Sequence, residues 1–269
     1  VPLNAIKPFL KDLRVVDVDT LENTPYVVAI EQNHLRGTPG HFIYVRGLTA
    51  QAGAKYAVVR PTHVYRQFGD DDDYDRVGHM LESNVDMVNG PWKEMTRGDG
   101  HWGKGDALGH EVQVIATAQY LRDGDPSTLL IDDANMEVRA GDRIMPVDAQ
   151  PYDANFYPHT PASLPTNFKV IAFADAMHAA GPHQVVALSA GSAEGIDNGS
   201  TFAIFQPGEK VLDKVISSHS DRTFGHKVQL PAEYIGHVMV FRTFEHVSYG
   251  LIMDGIRPVK LGDNLRKPS

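Results

Sequence analysis

The chain has 269 residues, 42% of them hydrophobic, no cysteine, and a net charge of −9 with a pI of about 5.8. That length and apolar content suffice for one large or two small cores. The acidic balance argues against a nucleic-acid partner, which needs clustered Lys and Arg against phosphates, and the missing thiols exclude disulfides, zinc–thiolate centres and cysteine nucleophiles.

No apolar run reaches the roughly 18 residues of a membrane helix. The start, Val1-Pro2-Leu3-Asn4, has neither the charge nor the apolar segment of a signal peptide and no initiator Met. It reads as a processed or truncated chain with something upstream missing.

Residues 1–25 read as a lead-in. Leu3, Ile6, Phe9, Leu10 and Leu13 recur near helical spacing and predict a short helix over 4–13, with Pro8 inside it. From Tyr26 the texture is that of strands: 26–30, 41–45 and 56–59 are short β-branched and aromatic runs punctuated by Gly and Pro. Residues 66–107 break the pattern with Asp70 to Asp73, several glycines, Trp92 and Trp102, and read as a long excursion between strands. Strand texture returns at 111–115 and 128–131. Pro151, Pro158, Pro161 and Pro165 make 147–167 an extended linker, and a second strand-rich block fills 168–269.

The two blocks, 26–146 and 168–269, read as copies of one β module. Val138-Arg139-Ala140-Gly141-Asp142-Arg143-Ile144 matches Val259-Lys260-Leu261-Gly262-Asp263-Asn264-Leu265. Asp133 matches Asp254, and Leu130-Ile131 matches Leu251-Ile252. Gly53 with 56–59 matches Gly199 with 202–205, and 40–45 parallels 182–187. Leu108-Gly109-His110 is matched with Ile235-Gly236-His237, which puts His110 and His237 at one repeat position. In the shared ending, Gly141 and Gly262 supply a permissive backbone, and Asp142 and Asp263 bond nearby amides. The expected fold is therefore mainly β: two tandem barrel- or sandwich-like modules with a short N-terminal helix and a long loop excursion.

No stretch reads as an active site, and neither a catalytic role nor a cofactor is expected. Asp71, Asp73, Asp75 and Glu82 fall on positions 1, 3, 5 and 12 of a calcium loop, but Arg76 stands where the turn requires Gly. A solvated acidic loop is the simpler reading, and no metal site is assigned. His237 and His246 form no zinc-ligand pair. Gly191-Ser192-Ala193-Glu194-Gly195 lacks the spacing of a serine nucleophile elbow. Trp92, Trp102, Tyr152, Phe156 and Tyr157 lie outside the core strands. They either dock their segments or anchor a partner, with Trp92 and Trp102 the candidate partner contacts.

The stretch from Phe241-Arg242-Thr243-Phe244 through Ser248-Tyr249-Gly250-Leu251-Ile252, followed by Pro258-Val259 and Gly262-Asp263, resembles the TsaP family. So do Pro2-Leu3-Asn4-Ala5-Ile6 and Pro25-Tyr26-Val27-Val28-Ala29. These are LysM-containing, secretin-associated proteins of the type IV pilus, similar in their C-terminal part to a flagellar T-ring protein. The resemblance implies a periplasmic structural protein bound to the outer-membrane secretin complex, with copies arranged in a ring. An N-terminal LysM module would grip peptidoglycan; no LysM motif is visible here, so this chain corresponds to the part that follows it. The rival expectation is a cell-envelope carbohydrate-binding module, which clustered exposed aromatics on one face would favour.

Overall fold

The computed structural model describes residues 7, 13–67, 107–147, 155–173, 179–212 and 227–268. They fall into two compact units, 13–147 and 155–268. Both are β structures, as the sequence texture requires.

The first unit is a closed six-stranded barrel with one added strand. Its elements are β1 (Leu13–Val16), α1 (Val18–Asn23), β2 (Tyr26–Ile30), β3 (Phe42–Arg46), β4 (Lys55–Arg66), β5 (Ala107–Arg122), β6 (Ser127–Ala134) and β7 (Arg143–Pro146). The sheet order is β1-β5-β4-β7-β2-β3-β6, and β6 pairs again with β5 to close the ring. The two-residue side-chain period selects the interior: Ile43 and Val45 on β3 point in with Val58, Ile115, Leu129 and Ile131, while Arg46 faces out.

The second unit is built from β8 (Val170–Phe173), β9 (Val185–Leu188), β10 (Thr201–Gln206), β13 (Glu233–Thr243), β14 (Ser248–Gly255) and β15 (Asn264–Arg266). Between β10 and β13 lies a two-stranded ribbon, β11 (Lys210–Leu212) and β12 (Lys227–Gln229). The sheet order is β15-β10-β13-β14-β9-β8. Its two edge strands meet through one bridge, Lys169 with Asn264. Val186, Leu188, Phe202, Ile204, Val238 and Ile252 fill the interior.

Strand for strand, β2 to β7 correspond to β8, β9, β10, β13, β14 and β15, with identical neighbours. The registers agree residue by residue. Ala57 lies between Thr117 and Met145 as Ala203 lies between His237 and Arg266. Bulges fall between Val58 and Val59 in one unit and between Ile204 and Phe205 in the other. The closing seams match too: Val27 N–H donates to Asp142 O (2.8 Å) and Ile144 N–H to Pro25 O (2.8 Å), while Val170 N–H donates to Asp263 O (3.0 Å) and Leu265 N–H to Phe168 O (2.9 Å).

Two of the expected equivalences need correction. Asn135 N–H donates to Ile115 O and Ile256 N–H to Ile235 O, both at 2.8 Å. Ile115 is therefore the partner of Ile235, and His237 corresponds to Thr117, not to His110. The shared Gly-His dipeptide is a coincidence, because β5 carries additional N-terminal residues paired with β1. In the upstream segment Phe42 opposes Leu130 and Val185 opposes Leu251, so 40–45 aligns with 183–188, one residue beyond the sequence match.

The modules also reach further than the expected boundaries. β1 pairs with β5, and Leu21 of α1 is fully buried, so 13–23 belong to the first barrel. Six residues are too short for a helical period to be read. The helix expected over 4–13 lies largely outside the described residues. Of the expected linker, Phe156 is buried and His159 bridges Ser200, so this stretch belongs to the second unit.

Candidate interaction faces

Each barrel is locked by its Gly-Asp turn. Gly141 has φ +94° and Gly262 φ +83°, the left-handed region that favours glycine. Asp142 Oδ2 accepts from Arg139 N–H (2.6 Å) and Asp263 Oδ2 from Lys260 N–H (2.8 Å). In the first barrel Arg60 adds a buried fork, with Nε to Asp142 Oδ1 at 2.8 Å and Nη2 to Oδ2 at 2.9 Å. Burial pushes the Asp142 carboxyl up, and the guanidinium opposes it. The matching position in the second barrel is Gln206. Asp263 is buried without such a fork, and burial pushes its carboxyl up to about 6.

Both barrels insert chain at the same connection, between the third and fourth strands. In the first, β4 and β5 remain paired as far as Arg66 and Ala107, which brackets the 68–106 insertion with a ribbon. Glu111 ties that ribbon together: Thr62 Oγ1 donates to its Oε1 (2.5 Å) and Tyr65 Oη to its Oε2. In the second, β11 and β12 form the ribbon, and Val211 and Val228 sit directly opposite each other on it.

The outer faces differ. Over β4, β5 and β7 of the first barrel, Ala57, Val59 and Val112 are covered by Val16 and Leu21, with Val114 and Met145 packed alongside. In the second barrel the same face carries Phe205, Tyr234, His237 and Arg266. The Arg266 guanidinium lies 4.5 Å from the centre of the Phe205 ring. Phe205 meets Tyr234 edge-on at 5.8 Å, and Tyr234 meets His237 at 5.4 Å. Tyr234 is 37% exposed. Phe205 is legible in the sequence as a strand residue; its convergence with Tyr234 on one outer face needs the register.

The segment carrying the family resemblance forms the β13–β14 hairpin end. Phe241 stacks on Tyr249 at 6.3 Å, Phe244 meets Tyr249 edge-on at 5.3 Å, and the Arg242 guanidinium lies 5.2 Å from the Phe244 ring. Nearby, Gly191 approaches the Phe244 and Glu245 carbonyls too closely for any side chain, and Glu194 accepts from Gly191 N–H at 2.7 Å. The Gly191–Gly195 stretch is thus a structural turn against the hairpin. His246 Nδ1 lies 2.8 Å from Glu194 Oε1.

Trp92, Trp102, Tyr152, Asp71, Asp73, Asp75 and Glu82 lie outside the described residues. Tyr157 is exposed while Phe156 is buried. His110 is fully buried with neither ring nitrogen hydrogen-bonded. Among the described residues no group of three or more His, Asp or Glu side chains could hold a metal ion, and no helix is long and apolar enough to cross a membrane. No protein-family model and no curated protein matches the chain.

Proposed function

We propose that this chain is a non-catalytic periplasmic adaptor that associates with the type IV pilus secretin at the outer membrane. A LysM module upstream would anchor the assembly to peptidoglycan. The reading rests on the family resemblance of the Phe241–Ile252 stretch. The observation that carries its adaptor character is the division of labour within the duplicated barrel. Closing turns and interior are kept alike in both copies, whereas the insertions and outer faces have diverged, as expected of a scaffold that presents different surfaces to partners. Copies around a ring follow because a secretin is itself a cyclic oligomer, and cyclic symmetry repeats one interface at each position.

Affinity purification of the tagged chain from envelopes of pilus-assembling cells tests this. The secretin is expected to co-purify in a saturable, stoichiometric manner; its absence refutes the reading. A glycan-binding module is the rival, favoured by Phe205 and Tyr234 sharing one outer face. Strong, saturable co-sedimentation of the chain with purified sacculi would support it.

A further inference from the structure

We infer that a protonated His159 clips the chain entering the second unit onto the start of β10, and that rising pH loosens this clip. The inference is independent of the adaptor reading, and its test needs no secretin.

The stretch 155–161 lies against the connection into β10. His159 N–H donates to Gly199 O (3.1 Å) and Thr201 N–H to His159 O (2.9 Å), which makes the parallel bridge of His159 with Ser200. Gly199 permits the approach. At φ +96° it carries no side chain, and a Cβ there would lie 2.4 Å from Tyr157 O and 3.1 Å from His159 Nδ1. Phe156 and Pro161, both buried, hold the stretch before and after His159.

The imidazole lies between two acceptors. Its Nδ1 is 2.8 Å from Tyr157 O and its Nε2 is 3.0 Å from Asp197 Oδ1. A backbone carbonyl has no proton to give, and Asp197 Oδ1 also accepts from Ser200 Oγ at 2.5 Å. A neutral imidazole carries one N–H, so in either tautomer one ring lone pair would face an acceptor oxygen at hydrogen-bond distance. The imidazolium, with both nitrogens as donors, satisfies the arrangement. The Tyr157 carbonyl, and after it the Asp197 carboxylate, hold the ring above the ordinary histidine value. Among the described residues Asp197 is the only charged group facing the ring; neither 155–161 nor the rest of the turn 195–200 contains another. A group whose folded-state value is raised lends stability that is complete below about pH 6.5 and is lost as pH rises through the raised value.

Phe156 and Pro161 do not titrate, so the proton on His159 sets how docking of the stretch responds to pH. The His159 side chain is 41% exposed, so water competes for both contacts and the response is graded. When the stretch peels away, residues 155–161 add up to about 25 Å to the chain between the two units, at roughly 3.5 Å each.

Two readouts on the full chain test this. In nitrogen-15 NMR spectra of the imidazoles at pH 6, both ring nitrogens of His159 are expected to carry protons. In amide exchange, protection at Thr201 relative to Ile252 in the interior of the same unit should fall about threefold or more between pH 6 and pH 9. His159→Gln should abolish that fall, and Asp197→Asn, whose amide can donate to Nε2, should reduce it. A singly protonated His159 ring at pH 6 would overturn the inference. So would a Thr201 to Ile252 ratio that does not change with pH, or one that still falls in His159→Gln.

Discussion

Replacing Asp263 by Asn should stabilise the second barrel at neutral pH and do nothing at pH 4. Asp263 is 2% exposed and accepts from Lys260 N–H, but has no counterpart of Arg60. Burial pushes its carboxyl up to about 6, against roughly 3.9 for an unperturbed Asp. A carboxyl raised on folding holds its proton more tightly in the folded state, so protonation favours folding. The stabilisation is complete below about pH 4 and is lost as pH rises through about 6. About two pKa units correspond to at most ~3 kcal/mol of penalty above that range. Asn keeps an oxygen for Lys260 N–H and removes the charge. Asp263→Asn is therefore expected to be more stable than the parent by about 1–3 kcal/mol at pH 7.5, with the gap closing near pH 4. Urea unfolding across this range, read with amide exchange at Val170 and Leu265, measures both. A less stable variant at pH 7.5, or a gap that does not change with pH, would refute the reasoning.

Three further outcomes are expected. Arg60→Met strands the buried Asp142 carboxylate and should cost the first barrel about 3 kcal/mol or more in urea melts; a neutral result would mean that the turn needs no cation. Burial, with Arg66 nearby, lowers the His110 imidazole to about 4. Stability present above about pH 6.5 is then lost as pH falls through 4, by up to ~3 kcal/mol, and His110→Leu should flatten that profile; an unchanged slope counts against the buried neutral ring. Gly262→Val, at φ +83°, should lower the melting temperature through a loss of about 1 kcal/mol or more.

The β character and the duplication were legible because both are written locally. β-branched runs announce strands, and a Gly-Asp turn with positive φ and a buried carboxylate tolerates few other residues, so Gly141-Asp142 and Gly262-Asp263 stand out in the text. His110 and His237 misled for the opposite reason. A two-residue match carries no register, and register is set by the ladders of β5 with β6 and of β13 with β14. The helix α1 was illegible because six residues show no periodicity, and the burial of Leu21 comes from the barrel face. The outer-face cluster draws Phe205, Tyr234, His237 and Arg266 from three strands, and no spacing in the sequence brings them together. Prolines at 158, 161 and 165 marked a break in the strand texture but said nothing of Phe156, whose burial ties this stretch to the second unit.

The closing seams have a mechanical consequence. In each barrel the first and last strands run antiparallel side by side, with Tyr26 opposite Arg143 and Lys169 opposite Asn264. Beyond those pairs, the incoming and outgoing chain leave from the same end of the seam. The cross-strand bonds there are perpendicular to the strands, so tension between the two ends of a barrel loads them one after another, as in a zipper, instead of all at once in shear. Once β1 and α1 are stripped from the first barrel and the Phe156–His159 stretch from the second, each seam should therefore open at low force, bond by bond.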